Sequence, residues 1–189
     1  MTETFNSLAE KLGLEVEQFN NTIHEIDANH KYIKDLKINV LNSLQYDNLT
    51  TKESYLLAYA TALNEKKVVF ADAFKILAEK EGASNEELAE VVSAVSLMNI
   101  NNVFYRFRHY TNKDYYNQTP AGIKMSIMMN PVLGKEFFEL LSLAISALNG
   151  CEMCVKSHEV SVLNHGCSEA RVYDAIILVA NIKGFLVIA

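Results

Sequence analysis

The sequence predicts an all-α protein, because turn-forming residues are scarce and apolar residues recur at helical spacing. The 189 residues include two prolines and seven glycines, fewer than the many turns of a β-rich protein usually require. Apolar residues instead recur three and four positions apart, as at Leu88, Val91 and Val95. Half of the residues are hydrophobic, enough for the core of one domain or of two small fused halves. We expect roughly eight to ten helices in a single domain spanning 1–189.

Net charge and the length of apolar runs exclude two classes of partner. The net charge is −6 at pH 7, whereas nucleic-acid binding requires a cationic surface. The longest uncharged runs, 140–150 and 175–182, are too short to cross a bilayer. The first residues lack the basic start and apolar segment of a secretion signal. We therefore expect a cytoplasmic protein that binds neither nucleic acid nor membrane. In that compartment a Cys-x-x-Cys is more often redox-active or metal-binding than structural.

The first element of the chain, 1–48, has the pattern of two or three amphipathic helices with mixed charge. Its two histidines, His24 and His30, lie among Asn, Glu and Asp, so we place them on solvated faces without a functional role. The connector 111–134 contains both prolines and a methionine cluster, Met125, Met128 and Met129. Such clusters are typical of a core or a subunit interface.

The remaining segments, 52–110 and 135–189, look like two pseudo-symmetric copies of one helical unit. Each has an apolar helix ending in Ala-Leu-Asn, then a second helix, a break that contains a glycine, and a long apolar helix. Helices that repeat in this way pack as a pair around one core.

The second copy carries a Cys-x-x-Cys that the first copy lacks. When the copies are aligned on their Ala-Leu-Asn segments, Lys66, Val69 and Ala73 oppose the two cysteines and a histidine of the second copy. The first copy does without these groups, so we conclude that the fold does not need them and that they serve chemistry.

Cysteine and histidine share one predicted helix face in the segment C-E-M-C-V-K-S-H, Cys151 to His158. Cys151, Cys154 and His158 fall at positions i, i+3 and i+7. The Asn-Gly break before Cys151 places that thiol in the first helical turn, where the helix dipole stabilises a thiolate. His158 lies one turn after Cys154 and can exchange a proton with it. The dipole thus favours Cys151 as the more acidic thiol and the histidine favours Cys154, which leaves open which sulfur attacks.

A carboxylate, Glu139, lies on the apolar helix that precedes the cysteines. The helix 135–148 has one narrow polar stripe, which indicates that it is mostly buried. Burial would raise the pKa of Glu139, so that it could donate or accept a proton near neutrality. The alternative is that Glu139 forms a salt bridge with a distant Lys or Arg.

A zinc site is a further alternative for the cysteines. Cys151, Cys154, His158 and His165 could supply four ligands. Structural zinc helps chains that lack a core, however, and ligands on consecutive turns of one helix fit poorly around a tetrahedral ion. Cys167 has no partner at short spacing and is expected to be a small buried residue.

At these residues the chain resembles the alkyl hydroperoxidase D (AhpD) family of the carboxymuconolactone decarboxylase-like superfamily. The segment F-F-E-L-L-S-L-A-I-S-A-L-N-G-C-E-M-C-V-K-S-H-E, 137–159, is similar to the active-site segment of that family. The segment S-L-M-N-I-N-N-V-F-Y-R-F-R-H, 96–109, is similar to its Asn-Asn-x-Tyr-Tyr-Arg-Phe stretch, in which we expect Asn102 and Arg106 to be structural. The resemblance covers about 31–189.

The resemblance implies an all-helical homotrimer that reduces organic hydroperoxides. It implies that Cys154 attacks the peroxide and that Cys151 resolves the resulting sulfenic acid to a disulfide, with His158 and Glu139 as the proton relay. It implies no bound cofactor. The reductant would be dihydrolipoamide on a lipoyl-bearing 2-oxoacid dehydrogenase component, regenerated by dihydrolipoamide dehydrogenase. Some members in turn reduce an AhpC-type peroxiredoxin.

One departure from the family pattern concerns the residue before the second cysteine. Some members have a relay histidine there, where this chain has Met153, so we expect a shorter relay. A thiol-disulfide reductase or redox sensor on the same scaffold, without peroxide turnover, is the first alternative function. A decarboxylase or isomerase of the wider superfamily is the second, although it has no special need of a thiol pair.

Overall fold

The computed structural model describes residues 3–15, 26 and 30–189, and the regular structure in these ranges is helical. The α-helices are α1 Glu3–Leu12, α2 Lys31–Ser43, α3 Thr51–Asn64, α4 Val68–Lys80, α5 Asn85–Thr111, α6 Asp114–Gln118, α7 Lys135–Leu148, α8 Glu152–Asn164 and α9 Glu169–Ile188. A short 3-10 helix, Ser126–Met128, lies in the connector. The described residues contain no β-strand, so the all-α prediction is confirmed. His24 lies outside the described residues, and His30 is the N-cap of α2.

The helix bounds put the two sequence copies in a register that differs by one residue from the alignment on Ala-Leu-Asn. Helices α3, α4 and α5 begin at a constant offset of 84 residues (135 − 51, 152 − 68 and 169 − 85) from α7, α8 and α9. The counterparts of Cys151, Cys154 and His158 are therefore Lys67, Phe70 and Phe74, not Lys66, Val69 and Ala73. The conclusion drawn from the alignment is unchanged, because neither set contains a thiol or an imidazole.

Equivalent turns end the first helix of each copy. The residue after the C-cap has a left-handed backbone in both, Lys66 with φ 60° and Gly150 with φ 67°. In each turn the next amide hydrogen-bonds back to the end of the helix, from Lys67 N to Ala62 O at 2.9 Å and from Cys151 N to Ser146 O at 3.1 Å. This Schellman-type ending reverses the chain, and the second helix begins after three intervening residues.

The helices group into two compact units, one formed by 1–84 with 173–189 and the other by 85–172. In the first unit, α3 packs against α4, and Phe70 of α4 meets Phe185 of α9 edge to face at 5.5 Å. In the second unit, α7 and α8 pack against each other and against α5. Both cysteines of the Cys-x-x-Cys, His158 and Glu139 belong to this second unit.

Helix α7 is the buried centre of the second unit, as its narrow polar stripe predicted. Its apolar side chains are almost completely covered, including Phe138, Leu140, Leu141, Ala144 and Ile145. Glu90 of α5 secures the connector, because its carboxylate accepts hydrogen bonds from the amides of Val132 and Leu133 at 2.8 and 2.6 Å. No helix within the described ranges has both the length and the apolar character needed to cross a membrane.

Candidate active site

The two cysteines of the Cys-x-x-Cys are joined by a disulfide at the start of α8. Cys151 is the N-cap and Cys154 lies in the first turn, with 5.3 Å between their Cα atoms. The turn at Gly150 delivers Cys151 to this position, since it ends α7 and reverses the chain. Cys151 is completely buried, whereas the side of α8 that carries Cys154 borders a cavity. The structure is thus that of the oxidised protein.

Glu139 of α7 and His158 of α8 are hydrogen-bonded to each other, as their predicted faces suggested. Nδ1 of His158 lies 2.7 Å from Oε2 of Glu139, and both side chains are buried. Nζ of Lys135 lies 3.0 Å from Oε1 of Glu139 and also donates to the carbonyl oxygen of Met128 at 2.7 Å. The carboxylate therefore contacts a cationic group on one side and an imidazole on the other. Lys135, the first residue of α7, is therefore also part of this cluster.

The pKa of Glu139 is lowered, so the prediction of a raised pKa is wrong. Burial acts to raise the pKa, but the hydrogen bonds from His158 and Lys135, together with their charges, outweigh burial and bring it from 4.5 to about 2. The predicted alternative of a salt bridge is found, although the partner Lys135 lies one helical turn away rather than at a distance. Glu139 is consequently a carboxylate at neutral pH. It can fix the orientation of His158 and stabilise a protonated imidazole.

A cavity of about 260 Å³ lies beside Cys154 within the second unit. Its lining residues come from α5, the connector and α8, and they are Asn101, Tyr105, Met125, Met128, Met153, Cys154, Ser157 and His158. The wall is mostly apolar, with three methionines and a tyrosine, and its polar groups lie on α8 and at Asn101. Met125 and Met128 of the predicted methionine cluster thus border the site. Cys154 is the cysteine of the pair that lines the cavity.

Hydrogen bonds from α5 hold the turn that carries Cys151. Asn102 donates to the hydroxyl of Ser146 at 2.9 Å and accepts a hydrogen bond from the side chain of Asn149, also at 2.9 Å. Arg106 donates to the carbonyl oxygen of Asn149 at 2.6 Å. The prediction that Asn102 and Arg106 make structural hydrogen bonds is confirmed. Because two of these three bonds end on Asn149, two residues before Cys151, they restrain the backbone that leads into the disulfide.

The four candidate zinc ligands are not assembled into a metal site. Among the residues that the structure describes, no group of three or more His, Cys, Asp and Glu side chains is arranged to hold a metal ion. Cys151 and Cys154 are bonded to each other, and Nδ1 of His165 lies 2.7 Å from the carbonyl oxygen of Ser161.

Cys167 is a buried free thiol, as predicted for a small buried residue. Burial, and secondarily the neighbouring carboxylate of Glu136, raise the pKa of Cys167 to about 12. The thiolate is the reactive form of cysteine, so Cys167 is inert at neutral pH.

Several proteins named alkyl hydroperoxide reductase AhpD are similar to this chain over most of its length. The protein of Anaeromyxobacter dehalogenans strain 2CP-C is 41% identical over 152 residues, which is 78% of each chain. That of Maricaulis maris is 37% identical over 81% of this chain and 88% of the relative. That of Solibacter usitatus is 35% identical over 93% of this chain and 95% of the relative. The chain belongs to the AhpD family.

Residues 116–186 also match the model of the carboxymuconolactone decarboxylase family, which agrees with this assignment. That range contains the disulfide, His158, Glu139 and Lys135. The resemblance found in the sequence is therefore confirmed at the level of the family. Two cavity residues of α5, Asn101 and Tyr105, lie outside the range matched by the model.

Proposed function

We propose that this AhpD-family protein is a thiol peroxidase that reduces organic hydroperoxides through a dithiol-disulfide cycle of Cys151 and Cys154. The observation that carries the proposal is the placement of Cys154 and His158 on the wall of one mostly apolar cavity. A cavity of about 260 Å³ with methionine and tyrosine walls suits the alkyl part of a hydroperoxide. The name of the relatives, alkyl hydroperoxide reductase, supports the same substrate class.

In the first step, the Cys154 thiolate attacks the terminal oxygen of the hydroperoxide. A sulfur–oxygen bond forms and the oxygen–oxygen bond breaks, so that Cys154 becomes a sulfenic acid and the peroxide becomes an alkoxide. Sequence reasoning left the attacking sulfur open. The cavity favours Cys154, because Cys154 lines the cavity that a substrate would enter, whereas Cys151 is completely buried and is not a lining residue.

His158 is the proposed base and acid of this step. It lies one turn after Cys154 on α8, takes the thiol proton and then donates it to the departing alkoxide, which leaves as an alcohol. The Glu139 carboxylate, 2.7 Å from Nδ1 of His158, stabilises the imidazolium formed in between. Glu139 thus acts as the fixed anion of the relay. The absence of a histidine at Met153 leaves this pair as the relay.

In the second step, the Cys151 sulfur attacks the sulfur of the sulfenic acid. Hydroxide leaves and takes the proton of the Cys151 thiol to become water, and the disulfide seen in the structure forms. Two electrons and two protons must then return from a dithiol. We propose dihydrolipoamide on a lipoyl-bearing 2-oxoacid dehydrogenase component, recycled by dihydrolipoamide dehydrogenase, with an AhpC-type peroxiredoxin as a further partner. The proposed compartment is the cytoplasm, where such reductants operate.

A homotrimer is part of the proposal, and an exposed apolar stripe on α5 supports an assembly. The stripe consists of four side chains at helical spacing, Ile100, Val103, Phe107 and Tyr110, each between 44% and 73% exposed. Contiguous apolar surface of this kind is typical of an interaction face.

The decisive test measures NADH oxidation coupled through dihydrolipoamide dehydrogenase and lipoamide as tert-butyl hydroperoxide is increased. We expect turnover that saturates with peroxide in the wild type and is abolished in Cys154→Ser. Cys151→Ser should lose turnover yet still form one sulfenic acid per chain in a single exposure to peroxide. Cys167→Ser is the matched control, because Cys167 is buried and unreactive, and it should turn over at the wild-type rate.

Two results would contradict the proposal, one for the reaction with peroxide and one for the attacking residue. If the wild-type disulfide is reduced by dihydrolipoamide but the dithiol does not react with peroxide, the protein is a thiol-disulfide exchange protein. If Cys154→Ser keeps peroxide turnover, Cys154 is not the attacking residue.

A further inference from the structure

Asn101 of α5 is a buried polar residue whose hydrogen-bonding capacity is half used. It is 3% exposed and lines the same cavity as Cys154 and His158. Its Nδ2 donates to Sδ of Met125 at 3.2 Å. Within the described part of the chain, its buried Oδ1 has no hydrogen-bond partner. Asn101 is therefore a lining residue of the cavity that carries an unpaired buried acceptor.

Asn102, the next residue of α5, has a structural role and provides a comparison. Asn102 uses both its amide nitrogen and its oxygen, which bond to Ser146 and Asn149. A buried acceptor without a partner lowers stability, and most buried polar groups in proteins are paired. The unpaired oxygen of Asn101 is thus better explained by a ligand that enters the cavity than by packing.

We propose that Asn101 is a substrate-positioning residue whose amide turns into the cavity when substrate binds, so that Oδ1 accepts a hydrogen bond from the O–H of the hydroperoxide. In R–O–O–H the hydrogen lies on the terminal oxygen, which is the atom that the Cys154 sulfur attacks. That hydrogen stays with the oxygen when the sulfenic acid forms, so the hydrogen bond holds the reacting atom throughout the step. The alkoxide still takes its proton from His158. This inference rests on the peroxidase function proposed above.

The test compares two reactions of the reduced protein by stopped-flow. One is oxidation by tert-butyl hydroperoxide, which carries an O–H donor. The other is modification of Cys154 by methyl methanethiosulfonate, which reacts with the same thiolate but has no O–H or N–H donor. In Asn101→Leu, which keeps the volume and removes both polar atoms, we expect the peroxide rate constant to fall about tenfold or more. The methanethiosulfonate rate should stay within about twofold of wild type.

The matched control is Asn99→Leu, since Asn99 lies on the same helix with its side chain exposed and outside the cavity lining. It should leave both rate constants unchanged. The thermal midpoint of Asn101→Leu should equal or exceed that of the wild type, because the substitution removes an unpaired buried oxygen. Asn101→Ala is the second variant, and the same selective loss is expected in it.

Three results would overturn the inference. An unchanged peroxide rate in both variants would show that Asn101 does not contact the substrate. An equal loss in both reactions would show that Asn101 only maintains the structure around Cys154. A wild-type protein that reacts with methyl methanethiosulfonate but not with peroxide would refute the peroxidase function itself, and this inference with it.

Discussion

The Glu139 carboxylate is a buried acid whose pKa is set by two neighbouring side chains, those of His158 and Lys135. Its place on a buried helix suggested a raised pKa, because burial disfavours charge. Lys135 is one turn earlier on the same stripe, and its ammonium group lies 3.0 Å from the carboxylate. Two donors therefore outweigh burial. A buried acid that is hydrogen-bonded by a lysine and a histidine functions as a fixed charge.

The lowered pKa predicts a specific loss of stability in acid. A carboxyl group with pKa 4.5 in the unfolded chain and about 2 in the folded protein stabilises the fold above pH 4.5. This contribution, roughly 3 kcal/mol, is lost as the pH falls from 4.5 towards 2. Urea unfolding of the oxidised protein across this range should show the decline. In Glu139→Gln the decline should be smaller, and the variant should be less stable than wild type at neutral pH.

The control for this prediction is Glu79→Gln, which removes an exposed carboxylate that lies 3.8 Å from Lys75. A surface pair of this kind contributes little, so the pH dependence should match the wild type within about 0.5 kcal/mol. An identical acid profile in the wild type and Glu139→Gln would contradict the assignment of the lowered pKa to Glu139.

At the scale of the elements, the turn at Gly150 places Cys151 at the start of α8. Gly150 and its counterpart Lys66 share a left-handed backbone, but Lys66 carries a side chain that disfavours it. Glycine relieves this strain and at the same time adds freedom to the unfolded chain. Gly150 is thus the residue type that its backbone favours, whereas Lys66 is not.

Exchanging the residue types at these turns should shift stability in opposite directions. Lys66→Gly should raise the free energy of unfolding by about 0.5 kcal/mol, and Gly150→Ala should lower it by about 1 kcal/mol. A Cβ at Gly150 would meet no atom within 4 Å in the described structure, so the cost comes from the backbone and not from a clash. Gly184→Ala is the control, because Gly184 lies inside α9 with an ordinary helical backbone and should be stabilised by alanine. Urea midpoints of the four proteins provide the measurement, and a Gly150→Ala variant as stable as wild type would contradict the argument.

The helices and the chemical groups of the site could be predicted from local sequence, but the cavity could not. Spacing alone placed the two cysteines and His158 on one face, and the polar stripe of α7 supplied Glu139. The cavity wall is formed by α5, the connector and α8, so its residues are brought together by packing between distant segments. Asn101 and Met125 are 24 positions apart and have no shared period that could have linked them. The one-residue shift in the repeat arose because the identical Ala-Leu-Asn letters end one residue apart in equivalent helices: Asn64 is the last residue of α3, whereas Asn149 is the C-cap that follows α7.

At the scale of the whole molecule, the redox site and the exposed stripe share α5. Asn101 and Tyr105 line the cavity from this helix, while Ile100, Val103 and Phe107 project into solvent. Successive residues of a helix point about 100° apart, so one helix can form a cavity wall and an interface at once. Assembly through the stripe would bury apolar surface that a single chain exposes.

The proposed homotrimer predicts that one charge on the stripe weakens the assembly. Val103 is 62% exposed, so Val103→Glu should leave the fold of a single chain intact, but it would bury an unpaired carboxylate in an interface. Sedimentation equilibrium should show a trimer for the wild type and a shift to monomer for this variant at the same concentration. Val68→Glu, at a position 69% exposed on α4, is the matched control and should remain trimeric. A monomeric wild type would refute the trimer. A trimeric Val103→Glu would place the interface away from the stripe, because a carboxylate at its centre is incompatible with a desolvated apolar contact.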